Sequence, residues 1–215
     1  PGSRRSEVGR IAPALRGAAE IVDRQRRAAG LPPVRWLLGR APGLEAADLA
    51  LPGGDPPLSG LDALRAADLA LAASGTATLE AALLGRPVVV VYRMHPLTYA
   101  IARRKVRVPH IAMANLLAGR RVVPELIQDE ASPERIAAEA LRLLSQPREL
   151  AEIQAGLAEA RAALGPPGAA ERAAEVVLSA LDSRPDDGTA PGRGPDDAAG
   201  SHGGPAGGGS RGGQP

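Results

Sequence analysis

Leu69-Ala70-Leu71-Ala72-Ala73-Ser74-Gly75-Thr76-Ala77-Thr78-Leu79-Glu80 is the stretch on which the fold turns. Five apolar residues in a row, with no polar alternation, fit a strand buried on both faces. Gly75 then opens a helix that runs to Leu84 and is closed by Gly85. After Pro87, Val88 to Val91 form a second apolar run of the same kind. Strand, helix and strand in this order predict a parallel pair with a crossover helix.

The pattern continues outward in both directions. Val8, Ile11, Leu15, Ala18, Ala19 and Val22 recur at helical spacing, and Gly30 is a plausible stop. Val34 to Leu38 reads as a short strand and 60–67 as a short helix. Pro96 starts a helix through about Arg104, and 108–113 reads as a further strand. Ser132-Pro133-Glu134 has the form of a helix start with proline in the first position, and helices are expected over 133–145, 147–163 and 169–182. The fold class predicted is α/β, a Rossmann-like parallel sheet with helices on both faces. In such sheets ligands sit at the carboxyl ends of the strands. That draws attention to Pro1–Arg5, Ser74–Thr76, Tyr92–Met94 and Asn115–Arg120.

Composition narrows the function. The chain has 215 residues, is 44 % hydrophobic and has no Phe, so Leu, Val, Ile and Ala must fill its core. It has no cysteine, which removes disulfides and Cys-based zinc sites. A net charge of +2 and 1 % aromatic residues give little support to nucleic-acid binding. No run of about 20 apolar residues is present to span a membrane. Residues 183–215 hold 11 Gly and 5 Pro and no Leu, Ile or Val, the composition of a disordered tail. Its Asp186-Asp187 and Asp196-Asp197 pairs read as solvating charges, so no metal site is assigned. Opening at Pro1 with no methionine, the chain reads as a fragment that lacks an N-terminal part.

Five segments carry chemistry. In Ser74-Gly75-Thr76, a helix start at a strand end offers free N–H groups and a positive dipole end to an anion. Glu80, one turn on, is placed to reach a pair of neighbouring hydroxyls such as a ribose offers; the ordinary alternative is a helix start with Ser74 as N-cap. In Pro1-Gly2-Ser3-Arg4-Arg5-Ser6-Glu7, Ser3 and Arg4 precede a helix, and an arginine there can fork onto a diphosphate; the alternative is a capping box. Arg93-Met94 leave a buried strand at the same sheet edge, where backbone groups can pair with a planar base. Asn115-Leu116-Leu117-Ala118-Gly119-Arg120 supplies an amide and a second guanidinium. His110 has no partner at a suggestive spacing and reads as structural. Finally, Leu97 to Ile101 run into Arg103, Arg104, Lys105 and Arg107, which suits either an anionic membrane surface or an ordinary helix C-terminus.

In their order, Pro1-Gly2-Ser3-Arg4, Ser74-Gly75-Thr76-Ala77-Thr78-Leu79-Glu80, Tyr92-Arg93-Met94 and Asn115-Leu116-Leu117-Ala118-Gly119-Arg120 closely resemble lipid-A-disaccharide synthase. Pro96-Leu97-Thr98 and Pro124-Glu125-Leu126-Ile127-Gln128 match in kind. The resemblance covers about residues 1–180. It implies the C-terminal, donor-binding half of a GT-B fold over residues 1–182, with the acceptor domain missing. It implies an inverting hexosyl transfer of 2,3-diacylglucosamine from its UDP derivative to 2,3-diacylglucosamine 1-phosphate, without a cofactor. The product is lipid A disaccharide 1-phosphate, and UDP is released. On this reading Ser3, Arg4 and Ser74–Thr76 meet the diphosphate, and Glu80 the ribose. The backbone at Arg93-Met94 reads uracil, and Asn115 and Arg120 close the site near the phosphates or sugar. The general base lies in the missing half, so this chain alone is expected to bind UDP weakly and catalyse nothing. A cytoplasmic location peripheral to the inner membrane is implied, and dimerisation through C-terminal elements is raised. Two departures stand out: Ala114 where proline is expected, and an unassigned Gly/Pro-rich region at 39–58. The alternatives are another GT-B enzyme (a murein glucosaminyltransferase or a UDP-GlcNAc 2-epimerase) and a non-catalytic interaction domain.

Overall fold

A computed structural model describes residues 1–44, 56–105 and 108–182. The 183–215 tail with its Asp pairs, residues 45–55 of the unassigned region and Arg107 of the cationic run lie outside the described residues. The chain divides into two compact units, Pro1–Pro166 and a second beginning at Pro167.

In the first unit, the decisive stretch folds as its pattern predicts. Strand β3 (Ala70–Ala73), helix α3 (Thr76–Leu83) and strand β4 (Val88–Tyr92) form a parallel crossover, with Ala70 opposite Val88 and Ala73 opposite Val91. Val88, Val89, Val90 and Val91 are all fully buried, each burial contributing about 1.5–3 kcal/mol. Helix α3 ends as expected at Gly85, where the Arg86 N–H reaches back to the Ala81 carbonyl at 2.8 Å. Helix α1 (Arg5–Ala28) stops the same way, the Leu31 N–H closing on Arg26 at 2.9 Å past Gly30.

A third strand, β5 (Glu125–Ile127), pairs in parallel with β4, giving the order β3-β4-β5. The expected strand at 108–113 is absent. The N–H groups of Ile111 and Ala112 are spent on the Glu125 carboxylate, at 3.1 and 2.7 Å, and not on a ladder. Helix α5 (Met113–Ala118) follows, so Asn115 lies on a helix. The expected strand at 34–38 is also absent. Val34 and Trp36 instead pack on a core cluster, and the Trp36 ring N–H donates to Asp23 at 2.9 Å. A minimal parallel pair, β1 (Gly39–Arg40) with β2 (Leu58–Ser59), forms beside helix α2 (Gly60–Ala66).

Helices cover both faces of the three-stranded sheet, as predicted. Helices α3, α5 and α7 (Pro147–Ala163) enclose one cluster around Ala72, Val88 and Val90. Helix α1 and α6 (Pro133–Ser145) enclose the other, with Ala73 and Val91. Gly156 of α7 lies so close to Val122 that an added Cβ would sit 2.5 Å from its side chain. Helix α6 begins where the Ser-Pro-Glu signal places it, with the Ser132 hydroxyl accepting from the Arg135 N–H at 3.3 Å. In the second unit, α8 (Ala169–Asp182) is the described element.

Candidate functional site

The carboxyl ends of the three parallel strands deliver Ser74, Arg93 and Gln128 to one edge of the sheet. Parallel register fixes this: Ala73 pairs with Val91, and Tyr92 with Ile127. The turn after β3 is built around Gly75, whose φ of 156° and ψ of −155° form a backbone state open essentially only to glycine. Gly75 is the N-cap of α3 and provides no side chain to its first N–H groups. The ordinary alternative, Ser74 as cap, does not form, because the Ser74 hydroxyl donates elsewhere, to the Ile111 carbonyl at 3.2 Å. Gly75, Thr76 and Ala77 are exposed, so the free N–H end of α3 faces outward. Glu80 is half-buried on the next turn, and its carboxylate has no hydrogen bond or ion pair among the described residues.

Helix α1 also begins without a side-chain cap, at Arg4. The alternative of a capping box does not form; the Glu7 carboxylate instead accepts from the Ser3 N–H, one residue before the N-cap, at 3.3 Å. Glu7 also holds the Arg4 guanidinium at 2.8 Å, leaving that side chain 78 % exposed. Gly2 is needed for this closure, because a Cβ there would lie 3.0 Å from the Glu7 side chain. Among the described residues, no hydrogen bond or ion pair joins Ser3 or Arg4 to Ser74–Glu80.

Arg93 and Met94 are tied to the end of β5. The Met94 N–H donates to Gln128 Oε1 at 2.7 Å, and Gln128 Nε2 donates to the Met94 carbonyl at 3.2 Å. Arg93 Nε donates to the Gln128 carbonyl at 3.3 Å. Gln128 is also the one non-glycine residue with positive φ, 53°, among the described residues.

Asn115 does not face the crevice. It is fully buried, and its polar atoms are engaged internally. Nδ2 donates to the Val123 carbonyl and to Glu125, both at 2.9 Å; Oδ1 accepts from the N–H groups of Val122 and Val123 at 2.7 and 2.8 Å. It is a strut that ties α5 to the segment entering β5. Arg120 is set apart from Ser74, Arg93 and Gln128. Among the described residues it makes no hydrogen bond or ion pair with them and pairs instead with Glu159 at 2.5 Å. A cavity of about 470 Å³ is lined by Arg120, Arg121, Arg142 and Glu152 among others. His110 does have an acidic neighbour, Glu125 Oε2 at 4.0 Å from Nδ1, supplied across the fold and not by sequence spacing.

Sequence reasoning missed Glu125 and Gln128 as individual residues. Their signal was faint: one acid in a short apolar run, and one amide after it. No group of acids and histidines that could hold a metal exists among the described residues.

A strand–glycine–helix crossover, with its uncapped helix start at the carboxyl edge of a parallel sheet, defines the class as a Rossmann-like half of the GT-B kind. Comparison with known proteins sharpens this. The family model for lipid-A-disaccharide synthetase matches residues 45–179. The lipid-A-disaccharide synthase of Syntrophus aciditrophicus is 44 % identical over 189 residues, covering 84 % of this chain and 48 % of the relative. That of Geobacter metallireducens is 43 % identical over 194 residues, with the same coverage of each. That of Anaeromyxobacter dehalogenans is 45 % identical over 195 residues, again with 84 % and 48 % covered. The chain belongs to the lipid-A-disaccharide synthase family. It spans about half the length of the curated relatives it matches.

Proposed function

We propose that residues 1–182 form the donor-binding part of an inverting glycosyltransferase of lipid A biosynthesis. The donor is UDP-2,3-diacylglucosamine and the acceptor 2,3-diacylglucosamine 1-phosphate. Lipid A disaccharide 1-phosphate and UDP are the products. The observation that carries this reading is the Ser74-Gly75-Thr76 turn, an uncapped helix start, exposed at Gly75 and Thr76, at the sheet edge where β4 also ends.

Charge builds on the diphosphate as the sugar leaves, and groups fixed in advance against that charge lower the barrier. The N–H end of α3 and the Arg4 guanidinium supply positive field for it. Arg4 must exchange Glu7 for phosphate, an exchange its exposure favours. The unengaged Glu80 carboxylate accepts from the ribose hydroxyls. The backbone at Arg93-Met94 reads uracil. Ser3 lies beside Arg4 on the same turn. Asn115 supports the site by locking Glu125, which in turn holds Ile111 beside Ser74. Arg120 is exposed and paired with Glu159, and no nucleotide contact is assigned to it. The acceptor site and the general base are assigned to the portion of the relatives that this chain does not span, so the chain alone binds UDP without transferring sugar.

Lipid substrates call for a membrane-facing surface on the cytoplasmic side of the inner membrane. No helix among the described residues is long and apolar enough to cross a membrane. Helix α4 (Pro96–Lys105) suits peripheral contact: it buries no residue, and Leu97 and Ile101, one turn apart, are 66 % and 53 % exposed. Arg103, Arg104 and Lys105 end it without an ion pair among the described residues. Apolar side chains at the acyl boundary with cations at anionic headgroups form a complementary match. In α8, Val177, Leu178 and Leu181 are exposed and offer a surface for dimerisation.

The test is a transfer assay on a protein of the relatives' full length with this chain as its second half. Disaccharide phosphate should form from the diacylated UDP-sugar and not from UDP-N-acetylglucosamine. Turnover of the unacylated donor alone would reassign the chain to another GT-B activity.

A further inference from the structure

The Met94 edge already has an occupant. A backbone N–H and C=O on one residue present a donor beside an acceptor. The matching group carries C=O beside N–H on one carbon, as a primary amide does. Only one orientation of the Gln128 amide satisfies both Met94 groups, and it places Oε1 on the N–H at 2.7 Å and Nε2 on the carbonyl at 3.2 Å. The imide edge of uracil, O=C–N–H, carries the same pair of groups. Met94 has a single N–H to give, so the amide and the base compete for it.

We propose that Gln128 is a placeholder for the nucleobase: its side-chain amide holds the Met94 edge in the free protein and swings away when the donor binds. This rests on the reading that Met94 receives uracil. Two features of Gln128 fit a residue placed for such a role. Its positive φ is a state that an ordinary L-residue keeps only where its surroundings impose it. Its carbonyl is separately held by Arg93 Nε at 3.3 Å, so the loop stays anchored when the side chain leaves. An occupied edge reduces apparent nucleotide affinity by the fraction of molecules in which it is free. It also keeps the two backbone groups paired while the site is empty.

The experiment is calorimetric titration of the full chain and of the variants Gln128→Leu and Gln128→Gly. The ligands are UDP and N3-methyl-UDP, which lacks the imide N–H. Leucine removes the amide, and glycine removes it while accepting the positive φ, so one variant stands in if the other folds poorly. The wild-type chain should prefer UDP about tenfold or more. Both variants should bind UDP about three- to tenfold more tightly, because the Met94 edge is no longer contested, and N3-methyl-UDP should gain less. Unchanged or weaker UDP binding in both variants, with the wild-type preference intact, overturns the placeholder role alone. A wild-type chain that binds the two ligands equally, or binds neither, overturns the base-reading assignment and the placeholder role with it.

Discussion

Ser74 illustrates how a residue's neighbours decide its task. By sequence it is a natural helix cap, yet its hydroxyl stitches the end of β3 to Ile111, and Gly75 becomes the cap residue. The helix start is thereby left open. Gly75→Ala should cost about 1–3 kcal/mol of stability, because alanine is strained at φ 156° and ψ −155°. Space is not the cause, since nothing lies within 4 Å of an added Cβ. Chemical denaturation checks this, and an unchanged midpoint would contradict it. Asn115→Leu should lower stability by about 2 kcal/mol or more. It strips the acceptor from two buried N–H groups and a donor from buried Glu125. The same measurement decides, and a loss under about 0.5 kcal/mol would deny Asn115 its role as strut.

At the scale of elements, Gly156 shows close packing that sequence does not announce. Gly156→Ala should destabilise by about 1–3 kcal/mol, as the new methyl meets Val122 at 2.5 Å and forces α7 away from the segment that leads into β5. A thermal midpoint equal to the parent's would show that the helix yields freely. Elements with strong local signals were legible. Helices α6, α7 and α8 begin and end as their Ser-Pro, Pro and apolar spacing indicate, and β3 and β4 are visible as unbroken apolar runs. Strand β5 was not legible, since three residues opening with a carboxylate carry no period. The expected strand at 108–113 fails for the reason that makes β5 important: Glu125 takes the N–H groups a strand would need. Arg120 was grouped with the crevice by its place in a motif. Its observed partner, Glu159, lies 39 positions away, and spacing alone does not encode that pairing. Gln128 was hidden similarly, its partner lying 34 positions away.

For the whole molecule, α4 sets an expectation about surfaces. The chain should bind vesicles containing anionic phospholipid and release them as salt rises, because exposed charge attraction is screened. Charge reversal of Arg103, Arg104 and Lys105 to Glu should abolish that binding in a sedimentation assay. Equal binding to neutral vesicles would remove α4 from the account. Calorimetric titration of UDP into the parent chain and into Arg4→Ala, Glu80→Ala and Arg120→Ala decides whether this chain carries a UDP site at the carboxyl edge of its sheet. Loss of a charge-assisted contact costs about 1.5–3 kcal/mol, so the first two variants should bind about tenfold or more weakly. Arg120→Ala, which breaks only an exposed pair with Glu159, should bind within about twofold of the parent. Binding that survives in Arg4→Ala and Glu80→Ala but fails in Arg120→Ala would place the nucleotide beside Arg120 and away from the Ser74–Thr76 turn.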